Sequence, residues 1–311
     1  MNDTMQAISQ NELGGPDVLQ RVTLPIPAPG IGEVVVRVHA AGVNPVDALA
    51  RQSGLFVSEL PFVLGWDISA HVVAVGPGVT VHQPGDEVFG MLPFPHGHGA
   101  YAEYAVAPAR VLVPKPQRLD HIQAAALPLA GLTAWQALVD TARIDQDSRV
   151  LINGAAGGVG HLAVQIAKTR GAHVIALASA QDADFVAAVG ADEVIDYTTT
   201  DFTQAVKEVD AVLEVIGGDY PAKALEVLKP GGILVSTLPP TLAALEKDAV
   251  ARGIRVAGLF VEADRLGMTA LAEFAATGEL IPAVAATFPL EQAAAAHATK
   301  SGPGKTVLTL A

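Results

Sequence analysis

Residues 150–170, VLINGAAGGVGHLAVQIAKTR, contain an apolar run, four glycines and an amphipathic segment in immediate succession. This order predicts a strand, a tight turn and a helix. Glycines in the turn would let the backbone approach a pyrophosphate at the positive end of that helix. The spacing is G-x-x-G-x-x-G because position 156 is alanine, so the glycines alone fit a structural turn equally well. A second apolar strand at 173–179 completes a βαβ unit and favours dinucleotide binding.

The composition indicates a folded globular chain. Half of the 311 residues are hydrophobic and 16% are charged, and no uncharged apolar run reaches the ~18 residues of a membrane helix. We expect no signal peptide, because the N-terminus lacks basic and apolar segments. The absence of cysteine excludes disulfides and cysteine-bound zinc and favours a cytoplasmic location. A net charge of −13 disfavours binding to nucleic acid or anionic membranes.

Two patterns divide the chain. Up to residue 120, short strand patterns alternate with proline and glycine turns. Strands and helices then alternate, which is typical of a doubly wound parallel sheet with ligands at the carboxyl ends of its strands. We expect strands at 149–153, 173–178, 192–195, 210–215, 231–236 and 254–259, and helices at 158–170, 182–189, 220–228 and 241–250. The sequence predicts an α/β fold with a dinucleotide-binding domain, 121–265, inserted in a β-rich domain, 1–120 and 266–311, to which the last strand, KTVLTL, returns.

Six segments, one of them within 150–170, occur in a characteristic order along the whole chain. They are GGPDVLQ (14–20), AGVNPVD (41–47), LGWDISAHVVAVG (64–76), PGDEVFG (84–90), LPLAGLTAWQAL (127–138) and GAAGGVGHLAVQIAK (154–168). With them the chain resembles the medium-chain dehydrogenase/reductase superfamily, and within it the zinc-independent quinone oxidoreductase group. The resemblance implies a Rossmann domain inserted in a GroES-like catalytic domain. It also implies a homodimer formed through edge strands, for which 255–262 is the candidate.

Zinc-dependent members of this superfamily bind a catalytic metal through Cys, His and a further Cys or acidic residue. This chain has Val43-Asn44 and Trp66-Asp67 at those places, so we expect no zinc and no metal activation of an alcohol. His96 and His98 lie among glycine and proline without an acidic partner, and we assign them no metal.

The cofactor is expected to contact one loop and the end of the second strand. The loop residues are Gly154, Ala156, Gly157, Gly158, Val159 and Gly160. The strand ends at Ser179 without the acid that would bind ribose hydroxyls. Ser179 can donate to a 2′-phosphate, and the resemblance places Tyr197 beside it; alternatively, Ser179 caps the following helix. Relatives carry a cation just after this serine, where the chain has Gln181 and Asp182. We expect NADPH, with NADH less favoured.

The resemblance implies further cofactor contacts. It places Thr133, Gly217 and Leu238 near the nicotinamide and Lys305 near the cofactor, although Lys305 equally fits a solvated turn lysine.

The sequence favours hydride transfer, because it contains no Ser/His/Asp order or paired-carboxylate motif. A zinc-free site requires an electrophile that conjugation has already activated, such as a quinone or an α,β-unsaturated carbonyl. Asn44 is the candidate catalytic residue, since its amide can donate to the developing oxyanion; the alternative is that it supports the turn before Pro45. Phe56, Trp66 and Phe94 are expected either to line a pocket for a planar substrate or to be ordinary core aromatics.

We therefore expect an NADPH-dependent, zinc-free reductase of a small quinone or enone. Two alternatives stay open. One is an enoyl-thioester reductase acting on a CoA or carrier-protein substrate, and the other is a non-catalytic, crystallin-like NADPH-binding protein.

Overall fold

The computed structural model describes residues 3–57, 59–96 and 99–310. The strands are β1 (Thr4–Gln10), β2 (Gln20–Pro25), β3 (Glu33–Val43), β4 (Phe62–Val63), β5 (Asp67–Val75), β6 (Glu87–Met91), β7 (Tyr104–Pro108), β8 (Leu112–Pro114), β9 (Arg149–Ile152), β10 (His173–Ala178), β11 (Glu193–Asp196), β12 (Val209–Glu214), β13 (Leu228–Ser236), β14 (Arg255–Gly258), β15 (Val284–Pro289) and β16 (Lys305–Thr309). The α-helices are α1 (Pro45–Ser53), α2 (His121–Ala125), α3 (Pro128–Trp135), α4 (Gly158–Thr169), α5 (Ala183–Ala188), α6 (Phe202–Ala205), α7 (Tyr220–Val227), α8 (Glu246–Ala251), α9 (Arg265–Thr277) and α10 (Ala293–Ala298).

The chain divides into two compact units, Met1–Leu132 with Glu262–Ala311, and Thr133–Val261. The first division therefore falls after Leu132, whereas the sequence pattern placed it after residue 120. The reason is that α2 packs on the sheet of the first unit, where Ala125 and Ala126 form an apolar cluster with Ala40 and Val307.

The second unit is built on a six-stranded parallel sheet in the order β11-β10-β9-β12-β13-β14. Counted from β9, this is the 3-2-1-4-5-6 order of the Rossmann fold, with its switch point between β9 and β12. Val150, Leu151 and Ile152 in β9 are at most 1% exposed, which explains why the strand reads as a continuous apolar run. The predicted doubly wound sheet is confirmed, and β14 lies at its edge.

One helix of this unit begins five residues after its predicted start. The pattern at 241–250 suggested a continuous helix, but α8 begins only at Glu246 and follows a 3-10 turn at Pro239–Thr241. Consecutive prolines at 239 and 240 restrict the backbone and remove two N–H donors, so regular helix starts later.

The first unit is organised around a seven-stranded sheet and a smaller three-stranded sheet. The larger runs β15-β16-β3-β5-β6-β8, with β7 also paired to β3, and the smaller runs β2-β1-β4. β16 pairs antiparallel with the end of β3, where Thr306 lies opposite Val43. The predicted return of the last strand to the N-terminal domain is thereby confirmed. Within the described residues, every helix is too short or too polar to cross a membrane.

Candidate functional site

The loop between β9 and α4 has a backbone that only glycine tolerates at two positions. Gly154 has a φ of 69°, in the left-handed region. A Cβ on Gly160 would lie 2.1 Å from the carbonyl oxygen of Gly154 and 2.7 Å from the Cα of Ala155. The loop is therefore folded tightly against the first turn of α4.

This geometry fits the pyrophosphate of a dinucleotide. α4 is 12 residues long, and Gly157 is its N-cap. The N–H groups of Gly158, Val159 and Gly160 come first in the helix and have no intrahelical acceptor. The helix dipole favours an anion at this end. Ala156 is half-buried in the same loop, and the predicted loop residues thus come together at the carboxyl end of β9.

A buried carboxylate at the switch point organises the neighbouring loops. Glu214, the last residue of β12, is 0% exposed. Its Oε1 accepts from the N–H of Gly217 at 2.9 Å and from Asn153 Nδ2 at 3.1 Å. A Cβ on Gly217 would lie 2.8 Å from Leu238 Cδ1, so the two predicted nicotinamide-side residues are neighbours. Sequence reasoning missed Glu214, although an acid closing the apolar strand AVLE was a usable signal.

Ser179 and Tyr197 lie at the ends of adjacent strands. The N–H of Tyr197 donates to Ala178 O at 3.3 Å, and the Tyr197 side chain is 46% exposed. The Ser179 hydroxyl donates to Asp182 Oδ2 at 2.9 Å and makes no cap bond to the helix backbone. Ser179 does occupy the N-cap position of the 3-10 turn Ala180–Asp182, as the alternative had it, but without a side-chain cap bond. The Ser179 hydroxyl, which was predicted to donate to a 2′-phosphate, therefore donates to the carboxylate of Asp182 instead.

In the first unit, Asn44 is held from both sides of its carboxamide. Its Oδ1 accepts from Lys305 Nζ, and its Nδ2 donates to Asp67 Oδ2 at 2.9 Å. Because an ammonium group only donates, Lys305 determines which way the amide faces. Asn44 is also the N-cap residue of α1, and its backbone N–H donates to Asp47 Oδ2 at 2.6 Å. The network and the helix start therefore share this residue.

Lys305 is buried within this network. It is 4% exposed and donates to Val43 O at 3.0 Å, so its interpretation as a solvated turn lysine is wrong. Its Nζ lies 3.7 Å from Asp67 Oδ2, and Asp67 Oδ1 accepts from Leu129 N at 2.8 Å. Burial raises the pKa of Asp67 and lowers the pKa of Lys305, while their mutual attraction opposes both shifts.

These residues do not fit the catalytic zinc of the zinc-dependent relatives. An amide at Asn44, an indole at Trp66 and a carboxylate at Asp67 stand at the ligand positions. The ammonium group of Lys305 already compensates that carboxylate and would repel a divalent cation. One anionic oxygen without imidazole or thiolate is a poor donor set for zinc, and we derive no step through a metal here.

A second buried chain of hydrogen bonds begins at Asp47. Tyr101 OH donates to Asp47 Oδ2 at 3.2 Å and lies 3.0 Å from His297 Nε2. Arg51 Nη1 lies 3.0 Å from His297 Nδ1, and because arginine only donates, the ring carries its proton on Nε2. Burial and then Arg51 lower the pKa of His297 to about 4. Burial, with a smaller contribution from the charge of Asp67, raises the pKa of Asp47 to about 7.

The three aromatic residues of the predicted pocket are brought together. The ring of Phe94 lies edge-on to Phe56 at 4.9 Å and to Trp66 at 5.2 Å between centroids. Both phenylalanines are only partly buried, whereas Trp66 is 0% exposed. Among the described residues, Trp66 Nε1 finds no hydrogen-bond partner.

The remaining predicted residues are placed as follows. Thr133 is 5% exposed, lies within α3 and is the first residue of the second unit. His96 is exposed, and His98 lies outside the described residues, so their lack of a metal role stays a prediction.

Comparison with known proteins relates both parts of the chain to dehydrogenases. Residues 30–117 match the alcohol dehydrogenase GroES-like domain, and residues 189–308 match the zinc-binding dehydrogenase domain. The chain is 36% identical over 249 residues to a mitochondrial NAD(P)H oxidoreductase, RTN4IP1, of Danio rerio, a match covering 71% of this chain and 63% of that protein.

Two solved structures are similar over almost the whole chain. The quinone oxidoreductase from Coxiella burnetii is 35% identical with a TM-score of 0.93, covering 99% of this chain and 100% of that one. The Escherichia coli quinone oxidoreductase complexed with NADPH is 29% identical with a TM-score of 0.87, covering 98% and 99%.

The fold and the sequence relationships together define an NAD(P)H-binding oxidoreductase. The chain belongs to the medium-chain dehydrogenase/reductase superfamily, in its quinone oxidoreductase-like group.

Proposed function

We propose that this protein transfers hydride from NADPH to a quinone or to the β-carbon of an α,β-unsaturated carbonyl. The observation that carries the proposal is the Asn44–Asp67–Lys305 network, because Asn44 and Asp67 stand where zinc-dependent relatives bind their metal. A site without a Lewis acid reduces a substrate whose own conjugation makes it electrophilic. Quinones and enones have that property, and simple alcohols do not.

The second unit would hold the cofactor through its own backbone. NADPH, when bound, supplies the hydride. The first turn of α4 would bind the pyrophosphate, and the Gly217 and Leu238 loops, tied to Glu214, would border the nicotinamide. The choice of NADPH rests on Ser179 and Tyr197 and on the NADPH complex of the Escherichia coli relative. Asp182 weakens this preference because its negative charge lies beside Ser179.

Asn44 would stabilise the charge that develops on the substrate oxygen. Lys305 draws electron density from the amide oxygen, and one hydrogen of Nδ2 is directed to Asp67. The second hydrogen of Nδ2 is then a polarised donor for a carbonyl oxygen. Phe56 and Phe94 would supply flat apolar surface for a planar substrate, and the buried ring of Trp66 would support Phe94 from behind. Protonation of the reduced product would come from solvent.

Steady-state assays of one preparation test this function. We expect NADPH-dependent reduction of 1,4-naphthoquinone or an alkenal and little turnover of crotonyl-CoA. An Asn44→Ala variant should lose kcat while keeping its Kd for NADPH. Turnover of crotonyl-CoA alone would favour the enoyl-thioester reductase. Binding of NADPH without reduction of any of the three substrates would favour a non-catalytic role.

A homodimer through β14 belongs to the same proposal. Among the strands of the described residues, β14 pairs only with β13, so its other edge is open in the sheet. Such an edge is protected when a second copy pairs with it.

A further inference from the structure

Three histidines from different elements meet on the larger sheet of the first unit. His39 lies on β3, His71 on β5, and His121 is the first residue of α2. One ring nitrogen from each lies within 4.8 Å of the other two. His39 Nε2 is 2.6 Å from His71 Nδ1, and the rings of His39 and His121 stack at 4.3 Å. The three rings form one cluster.

Local strand geometry explains how His39 reaches this cluster. Val38 pairs with Ala70, and Ala40 pairs with Ser69, so His39 is an extra residue in β3. A bulge of this kind redirects the side chain of the extra residue. His121 belongs to α2, which packs on the same sheet through Ala125.

A carboxylate stands beside two of the three rings. Glu87 lies directly opposite His71 across β5 and β6. Its Oε1 is 3.3 Å from His121 Nε2 and 3.6 Å from His71 Nε2. Ligands at the ~2.0 Å typical of zinc in a tetrahedral site lie roughly 3.3 Å apart. His71 faces His39 with Nδ1 and Glu87 with Nε2, so one ion would be bound only after side-chain rotations that present a single nitrogen of His71 to it.

A buried hydroxyl already orients one of the rings. Ser69, 0% exposed, has its Oγ 2.7 Å from His121 Nδ1. Because Ser69 contacts Nδ1, the other ring nitrogen of His121, Nε2, faces Glu87. Partners of this type commonly orient metal-binding imidazoles.

Burial, with a smaller contribution from neighbouring groups, favours the neutral form of two of the rings. Burial, then the neighbouring rings of His121 and His71 and the charge of Arg37, lowers the pKa of His39 to about 4. Burial and Lys115 lower the pKa of His121. Neutral imidazole is the form that binds a metal. Lys115 Nζ, 3.4 Å from Glu87 Oε2, is the cation that competes with a metal for the carboxylate.

We propose that His39, His71, His121 and Glu87 bind one divalent transition-metal ion of the zinc class. Four protein ligands close the coordination sphere, so the ion is structural and takes no part in hydride transfer. The bound ion would connect the first residue of α2 to β3 and β5. This site shares no residue with the Asn44–Asp67–Lys305 network.

Calorimetric titration of the chelator-treated full chain with ZnCl₂ tests the proposal. We expect one ion per chain and a higher melting temperature of the loaded protein. The affinity should fall at least about tenfold in His121→Ala and in His71→Ala, which remove one ligand each. Lys115→Gln should bind more tightly because the competing cation is removed. With Co²⁺, the wild type should show the visible absorption of tetrahedral cobalt, and His121→Ala should lose it.

His173→Ala is the matched control. His173 Nε2 lies 2.7 Å from Glu193 Oε1, and its Nδ1 lies 3.8 Å from Asp192 Oδ2, so it represents an imidazole beside carboxylates elsewhere in the chain. Zinc binding should be unchanged in this variant. The proposal is overturned if the wild type binds no stoichiometric ion, or if binding survives intact in His121→Ala and His71→Ala. Equal loss in His173→Ala would also overturn it.

Discussion

Replacing Asp182 with asparagine should increase the preference for NADPH. Asp182 Oδ2 accepts the single hydrogen of the Ser179 hydroxyl at 2.9 Å. Asparagine at this position can instead donate its amide N–H to the hydroxyl oxygen, which leaves the hydroxyl hydrogen for a phosphate. A phosphate oxygen bound to the same hydroxyl would lie about 2.8 Å from it. The carboxylate and the phosphate would then be separated by about 6 Å.

The charge on Asp182 sets the size of the effect. The single negative charge of Asp182 and the two negative charges of a 2′-phosphate, about 6 Å apart, repel each other by about 1.4 kcal/mol in a medium as polar as water. The repulsion is larger where water is partly excluded. That energy corresponds to a factor of about ten in Kd. We expect the Kd for NADPH to fall about tenfold in Asp182→Asn, while the Kd for NADH, which has no 2′-phosphate, changes little. The gain should shrink at high ionic strength.

Fluorescence titrations with both cofactors at low and high salt measure this change. Asp184→Asn is the matched control, because Asp184 is an exposed acid two residues further along and should leave the NADPH/NADH ratio unaltered. If Asp182→Asn leaves that ratio unchanged, or tightens both cofactors equally, Ser179 does not contact the phosphate and the reasoning fails.

Four further changes have defined outcomes. Lys305→Met should lower the free energy of unfolding in chemical denaturation by about 3–5 kcal/mol, because it leaves a buried carboxylate uncompensated, and adding Asp67→Asn should restore most of the loss. Asp47→Asn should flatten the pH dependence of unfolding: the folded-state pKa of about 7 lies above the unfolded value of 3.8, so wild-type stability falls as pH rises between them. Gly160→Ala should abolish binding of both cofactors in titrations, since its Cβ meets a carbonyl oxygen at 2.1 Å. Ala257→Arg, in β14, should halve the mass in light scattering if that edge forms the dimer.

Each of these outcomes has a clear contradiction. Gly302→Ala is the control for the loop variant, since nothing lies within 4 Å of its added Cβ, and it should bind both cofactors normally. A Lys305→Met protein as stable as the wild type would mean that Asp67 is neutral when folded. An unchanged pH profile in Asp47→Asn would place the proton on another group. A monomeric wild type would rule out the β14 dimer.

The core of the nucleotide-binding unit could be predicted because its signals are local. β10 occupies the predicted 173–178, and α4 begins at the predicted residue, Gly158. Apolar period and glycine position act over a few residues, so they are readable before any tertiary contact is known. Gly154 and Gly160 were recognisable for the same reason: the backbone itself excludes side chains there.

The hydrogen-bond partners of the candidate site residues were harder to predict, even where the partner is close in sequence. Ser179 was recognised as a polar residue at a strand end, but its bond to Asp182 depends on the rotamers of both side chains. The sequence offered Asn44 as support for the turn before Pro45, yet the orientation of its amide depends on Lys305.

The sequence by itself determined the fold class, the inserted domain and the residue types that could carry the chemistry. Only the tertiary structure placed Lys305 beside Asn44, 261 residues away along the chain, and brought His39, His71 and His121 into one cluster. The physical reason is that periodicity specifies which face of an element is buried. It does not specify which side chain from a distant strand or helix will meet that face, because register, bulges and packing of the whole unit decide that contact.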